Sequence, residues 1–136
     1  MQAAYRGIDR LELSAIALGG ALGALARVGL SQAFPPTGGS WPWVTFSINL
    51  IGTFALGFFV TYLRRHRPLS TLHHPLLATG LCGTFTTFST MQLEVLNMID
   101  RQRDGLALAY VSASVLGGYL LVSIGIALVR PTQVVA

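Results

Sequence analysis

The sequence contains no lysine, one cysteine and only five carboxylate side chains among its 136 residues. The lone cysteine, Cys82, closes no intrachain disulfide and supplies no zinc-ligand spacing. Within an apolar stretch it reads as a small hydrophobe. No Ser/His/Asp set, metal-ligand spacing or phosphate-binding loop occurs within the apolar segments, so an enzyme is not indicated. Charged residues are 10% of the chain, against about 25% in a typical soluble domain. Hydrophobic residues reach 52% and fall in long uncharged runs, the composition of an integral membrane protein. The nine basic residues are all arginine, at positions 6, 10, 27, 64, 65, 67, 101, 103 and 130. They stand near the ends of the apolar runs, where guanidinium groups reach lipid headgroups. The pI near 10.0 is therefore a membrane-anchoring signal. Nucleic acid is not indicated, because no basic run is interleaved with polar or aromatic residues.

Four apolar segments are present, at about 11–34, 44–63, 75–99 and 106–129. Each is near the roughly 20 residues needed to cross about 30 Å of hydrocarbon. The expected fold is thus an all-α membrane domain of four transmembrane helices over residues 1–136. The first run is too long for the core of a signal peptide and is expected to be retained. The loop "PPTGGSWPW" at 35–43 carries Trp41 and Trp43, which suit the interfacial aromatic belt. Six arginines (6, 10, 64, 65, 67 and 130) fall on one side and three (27, 101 and 103) on the other. The positive-inside rule then places both termini in the cytoplasm. His66, His73 and His74 read as solvated loop residues rather than metal ligands.

The polar residues inside these runs need explaining. "GGALGALARVGL" sets Gly19 and Gly23 four apart, a spacing that lets helix backbones approach closely. Arg27, in the same run, requires the interface or a partner. In the second run Thr45, Asn49 and Thr53 form one stripe at four-residue spacing, with Gly52 beside it. The asparagine either bonds a neighbouring helix or lends its amide N–H groups to a polar path, and spacing alone leaves both open. Tyr110, Ser114 and Gly118 make a similar stripe in the fourth run.

The third run contains "GLCGTFTTFSTMQLE", residues 80–94. Gly80 and Gly83 weaken a helix, and Thr84, Thr86 and Thr87 compete for its backbone groups. A break near residues 83–87 is predicted. In lipid a break leaves amides and carbonyls unpaired at several kcal/mol each unless protein or ions surround them. Broken helices at mid-membrane are how transporters and channels build ion sites. Beyond the break Thr86, Thr90, Glu94 and Asn97 line one face, with Phe88 and Met91 on a neighbouring one. Four short helices hardly seal such a site alone, so a two-fold dimer is expected.

With "GGALGALAR" in the first run, "FSINLIGTFALG" in the second and "GLCGTFTTFSTMQLE" in the third, the sequence resembles the Fluc/CrcB family of bacterial fluoride channels. The resemblance covers nearly the whole chain, and the third motif is the specific one. It implies passive fluoride export across the bacterial inner membrane by a dual-topology homodimer with two pores. It further implies a central, non-transported sodium ion held by backbone carbonyls at the positions of Gly83 and Thr86. The pore asparagine matches Asn49 and the first pore phenylalanine matches Phe88, whose positive ring edge can meet an anion. Glu94 falls on the same track, Ser89, Thr90 and Tyr110 are further lining candidates, and Ser114 belongs to the fourth-run stripe. Arg27 matches a first-span arginine that helps attract anions at the vestibule. One position departs: the family motif has a second phenylalanine three residues after the first, and here it is Met91. A thioether offers no ring edge.

Two other classes compete. A small proton-coupled drug exporter wants a carboxylate deep in its first span, where this chain has only Glu12 at the edge. A membrane scaffold or accessory subunit predicts no flux.

Overall fold

The computed structural model describes residues 9–35, 40–67 and 72–129. Arg6 and Arg130 lie outside them. All regular structure among the described residues is helical. Helix α1 (Arg10–Ala33) starts where the Asp9 side chain accepts the Leu11 N–H at 3.0 Å, satisfying a donor the helix leaves free. Helix α2 (Trp43–His66) begins after Pro42 and ends on Arg64, Arg65 and His66, and the two arginines suit the negative end of the helix dipole. Next come a π-helix (Pro75–Cys82), the short α3 (Gly83–Phe85), α4 (Phe88–Asp100) and α5 (Asp104–Val129). By length and hydropathy α1, α2 and α5 can each cross a membrane, making this a multi-pass membrane protein.

Between α4 and α5 the chain reverses at Gln102, which adopts a left-handed φ of 58°. The Gln102 N–H bonds the Ile99 carbonyl at 2.8 Å and the Arg103 N–H bonds that of Met98 at 2.9 Å. This is the paired-carbonyl ending that lets a helix stop without orphaned acceptors. At the opposite end Arg65 Nη1 donates to the Val129 carbonyl at 2.7 Å, closing α5 with a side chain of α2.

Between α3 and α4 the backbone leaves helical geometry. Thr86 sits at φ −74°, ψ 154° and Thr87 at φ −146°, ψ 113°, both extended. The preceding π-helix is under-wound, closing i→i+5 rather than i→i+4 rings.

Glycine decides which helices touch. A Cβ on Gly19 would collide with the Leu76 carbonyl, one on Gly23 with the Leu81 carbonyl and Thr84 Oγ1, and one on Gly80 with the Ile16 carbonyl at 2.6 Å. Helix α1 therefore lies backbone-to-backbone on the π-helix and α3, and Thr84 Oγ1 donates to the Gly20 carbonyl at 2.8 Å across that seam. The other pair is α2 with α5, where Gly57 faces the Val122 carbonyl and Gly125 the Phe54 carbonyl. Lipid supplies no hydrophobic drive between helices, so close van der Waals fit of this kind carries the packing. Gly125→Val would set a side chain 2.5 Å from the Phe54 carbonyl oxygen and 2.9 Å from the Phe58 nitrogen. We expect it to cost about 3 kcal/mol, read as a lowered Tm in detergent. An unchanged Tm would mean that α2 and α5 do not meet here.

Candidate functional site

The site grows from the interruption before α4. Thr87 is the N-cap of α4: its Oγ1 accepts the Thr90 N–H at 3.3 Å and donates to Thr90 Oγ1 at 2.9 Å. Its carbonyl opens the α4 ladder, whereas its N–H has no helical partner, and Asn49 of α2 bonds both groups. Asn49 Nδ2 donates to the Thr87 carbonyl at 3.1 Å, and the Thr87 N–H donates to Asn49 Oδ1 at 2.8 Å. The amide thus replaces a missing piece of helix ladder. Thr53, next on the same stripe, turns its hydroxyl back onto the Asn49 and Leu50 carbonyls, each at 2.9 Å. Thr86 turns away: its hydroxyl donates to the Cys82 carbonyl at 3.0 Å, and its methyl group occupies the space Gly52 leaves on α2.

One turn before Asn49 stands Thr45, whose Oγ1 donates to Glu94 Oε1 at 2.6 Å. The other carboxylate oxygen, Oε2, accepts from the Tyr110 hydroxyl at 2.7 Å. Thr45 and Thr87 are the buried polar residues of the described core, and Tyr110 has 0% exposure. Tyr110 packs with Met91, Met98 and Ala107. A continuous polar column results: Tyr110 and Thr45 on Glu94, then Asn49 on Thr87, with Thr90 one turn from each of Thr87 and Glu94.

Two cavities flank this column. One, of about 270 Å³, is lined by Ser31, Phe34, Trp41, Thr45, Thr90 and Glu94 among others. The other, of about 320 Å³, has Asn49, Thr87, Phe88, Met91 and Ser114 on its walls, with Gly83 and Thr86. Phe88 is 67% exposed in the single chain, whereas Met91 is buried. The hydroxyl of Ser114 is buried without a hydrogen-bond partner among the described residues.

The structure therefore brings together Asn49, Thr90, Glu94 and Tyr110, and places Phe88, Met91 and Ser114 on one shared wall. Ser89 reaches Thr87 Oγ1 only at 3.4 Å and lines neither cavity. Arg27 is half-buried on α1, one turn before Ser31, and also lines neither. Thr87 and Thr45 were missed as site residues. Thr45 carried a signal in its spacing from Asn49. Nothing separated Thr87 from Thr86.

Gly83 and Thr86 remain to be considered as cation ligands. A continuous helix would send the Thr87 N–H to the Gly83 carbonyl, but that N–H goes to Asn49. Gly83 is exposed, and nothing lies within 4 Å of a Cβ built on it. Its carbonyl and that of extended Thr86 are oxygen donors of the kind a hard cation takes. No group of three or more His, Cys, Asp or Glu side chains able to hold a metal occurs among the described residues.

Residues 14–126 match the family model described as "CrcB-like protein, Camphor Resistance (CrcB)". The chain is 48% identical over 126 residues to the "Fluoride-specific ion channel FluC 1" of Mycobacterium tuberculosis (strain CDC 1551 / Oshkosh), covering 93% of this chain and 96% of that protein. It is 46% identical over 126 residues to the protein of the same name from Mycolicibacterium paratuberculosis (strain ATCC BAA-968 / K-10), with the same coverage. With the "Fluoride-specific ion channel FluC" of Chelativorans sp. (strain BNC1) it shares 40% over 119 residues, 87% of this chain and 95% of the other. The family model and these relatives each match most of the chain's length: this chain belongs to the CrcB family.

Proposed function

We propose that this protein is a fluoride-selective channel, not an enzyme, that lets cytoplasmic fluoride leave passively down its electrochemical gradient. The observation that carries the proposal is the column of Thr45, Glu94, Asn49 and Thr87 between two cavities. The names of the curated relatives support it. Fluoride is small and strongly hydrated, so a path for it must replace water with hydroxyl, amide and ring-edge donors. Asn49, Thr90, Ser114 and Phe88 offer such groups on the cavity walls, and Tyr110 holds Glu94 in place behind them. Export needs no coupling: a negative-inside potential drives the anion outward with about 2.3 kcal/mol per charge per 100 mV.

In this reading Pro75–Asp100 is the third of four crossings, broken at mid-membrane, and two copies pair in antiparallel orientation in the inner membrane. Helix α4 supports pairing, because exposed Phe88, Leu93 and Leu96 alternate with exposed Gln92 and Asn97, and amides facing lipid are costly. The carbonyls of Gly83 and Thr86 from both copies would hold a structural sodium ion, which would supply charge at the crossing of the two breaks. The exporter alternative gains nothing, since Glu12 lies exposed in the first turn of α1.

The test is fluoride efflux from liposomes holding the purified protein. Wild type should pass fluoride and not chloride; equal passage of both, or of neither, would sink the proposal. Phe88→Ala should slow fluoride by at least about tenfold, on the order of 1.4 kcal/mol.

A further inference from the structure

We infer that the indole N–H of Trp41 is a hydrogen-bond donor to the permeating anion at one mouth of the path, and so a specificity-determining residue; this rests on the fluoride-channel reading above. Among the described residues two buried side-chain polar atoms have no hydrogen-bond partner, Trp41 Nε1 and Ser114 Oγ. They belong to residues on opposite sides of the polar column, Trp41 on the 270 Å³ cavity and Ser114 on the 320 Å³ one. Ser114 was already a candidate from its stripe. The sequence reading sets Trp41 in the interfacial aromatic belt, and the structure adds that its ring packs on Phe46 and Tyr110.

Trp41 is half-buried, with its ring edge-on to Tyr110 at 5.4 Å and 81° and to Phe46 at 5.4 Å and 84°. Tyr110 is the residue that also bonds Glu94. The exposed position at this boundary falls instead to Trp43, which is 66% exposed. Trp41 is thus clamped against the column by aromatic edges, a fixed donor rather than a floating anchor.

An indole N–H only donates, and a buried donor without an acceptor carries the full cost of its lost hydration. Such groups in native proteins ordinarily meet a water or an ion. The acceptors on the same cavity wall are turned to other donors: the Glu94 oxygens take the Thr45 and Tyr110 hydroxyls, and Thr90 Oγ1 takes that of Thr87. What fits is a compact species that brings lone pairs of its own. A small anion meets that need, and a larger, weaker acceptor such as chloride meets it less well.

The chain has two tryptophans, so its indole N–H groups give two nitrogen-15 resonances in lipid nanodiscs, assigned by loss of one in Trp43→Phe. Adding fluoride should move the Trp41 resonance progressively, and equal chloride should not. Trp41→Phe keeps a ring but loses the donor, and should slow fluoride efflux from liposomes about tenfold, the scale of one hydrogen bond to an ion. A Trp41 resonance indifferent to fluoride in a protein that conducts it would overturn the inference and assign the N–H to water or to the partner copy. Equal shifts with chloride would overturn it as a determinant of specificity. A wild-type protein that passes no fluoride would instead sink the channel reading itself.

Discussion

Asn49→Leu is expected to abolish fluoride efflux and to destabilise the fold together. The substitution keeps roughly the side-chain volume and removes the amide, so the Thr87 N–H loses its partner and the Thr87 carbonyl loses its second donor. Thr87 is only 6% exposed, which limits its access to water even beside the 320 Å³ cavity. An orphaned peptide N–H costs about 1–3 kcal/mol, a large share of the stability of an ordinary domain. Asn49→Asp separates the two effects. Its carboxylate can still accept the Thr87 N–H but faces the Thr87 carbonyl with no donor and adds negative charge beside the anion path. We therefore expect Asn49→Asp to keep more of the Tm than Asn49→Leu while conducting as little. Efflux assays and thermal melts in detergent read both quantities. Wild-type flux through Asn49→Leu would remove this amide from the path.

The long helices were legible because hydropathy and chain length alone decide what can cross a bilayer, and α1, α2 and α5 satisfy both. The glycines of α1 were legible too, since four-residue spacing of small residues has one dominant use in lipid. Asn49 was legible only as a pair of alternatives. Sequence spacing puts it on a face but does not say whose backbone it meets, and the structure gives it Thr87. The choice between Thr86 and Thr87 was hidden for a sharper reason. Both are β-branched threonines, and an extended backbone sends consecutive side chains to opposite sides. One of them caps α4 and the other packs on Gly52. Trp41 and Trp43 were indistinguishable in the same way, as neighbours in one aromatic, proline-containing turn. Met91 shows the reverse case. Its departure from the family motif was visible at once, but its burial against Tyr110 beside the cavity was not.

The remaining large effect belongs to Glu94. Glu94→Leu leaves the Thr45 and Tyr110 hydroxyls without their acceptor; Tyr110 is fully buried and cannot turn to water, and Thr45 is 6% exposed. Each orphan costs about 1–3 kcal/mol, so the single substitution should lower the Tm clearly and stop fluoride flux. A low flux could then follow from damaged packing alone. The combined variant Glu94→Leu, Thr45→Val, Tyr110→Phe resolves this, because replacing all partners of a buried polar group by apolar ones of similar shape is close to neutral. We expect the triple variant to regain most of the Tm and little of the flux, since it removes Glu94 and the Thr45 hydroxyl from the polar wall of the 270 Å³ cavity and leaves fewer groups to exchange for fluoride's hydration shell. Recovery of flux along with stability would make the Thr45–Glu94–Tyr110 cluster a structural device, and would leave Asn49, Thr87 and the wall of the second cavity to carry the ion.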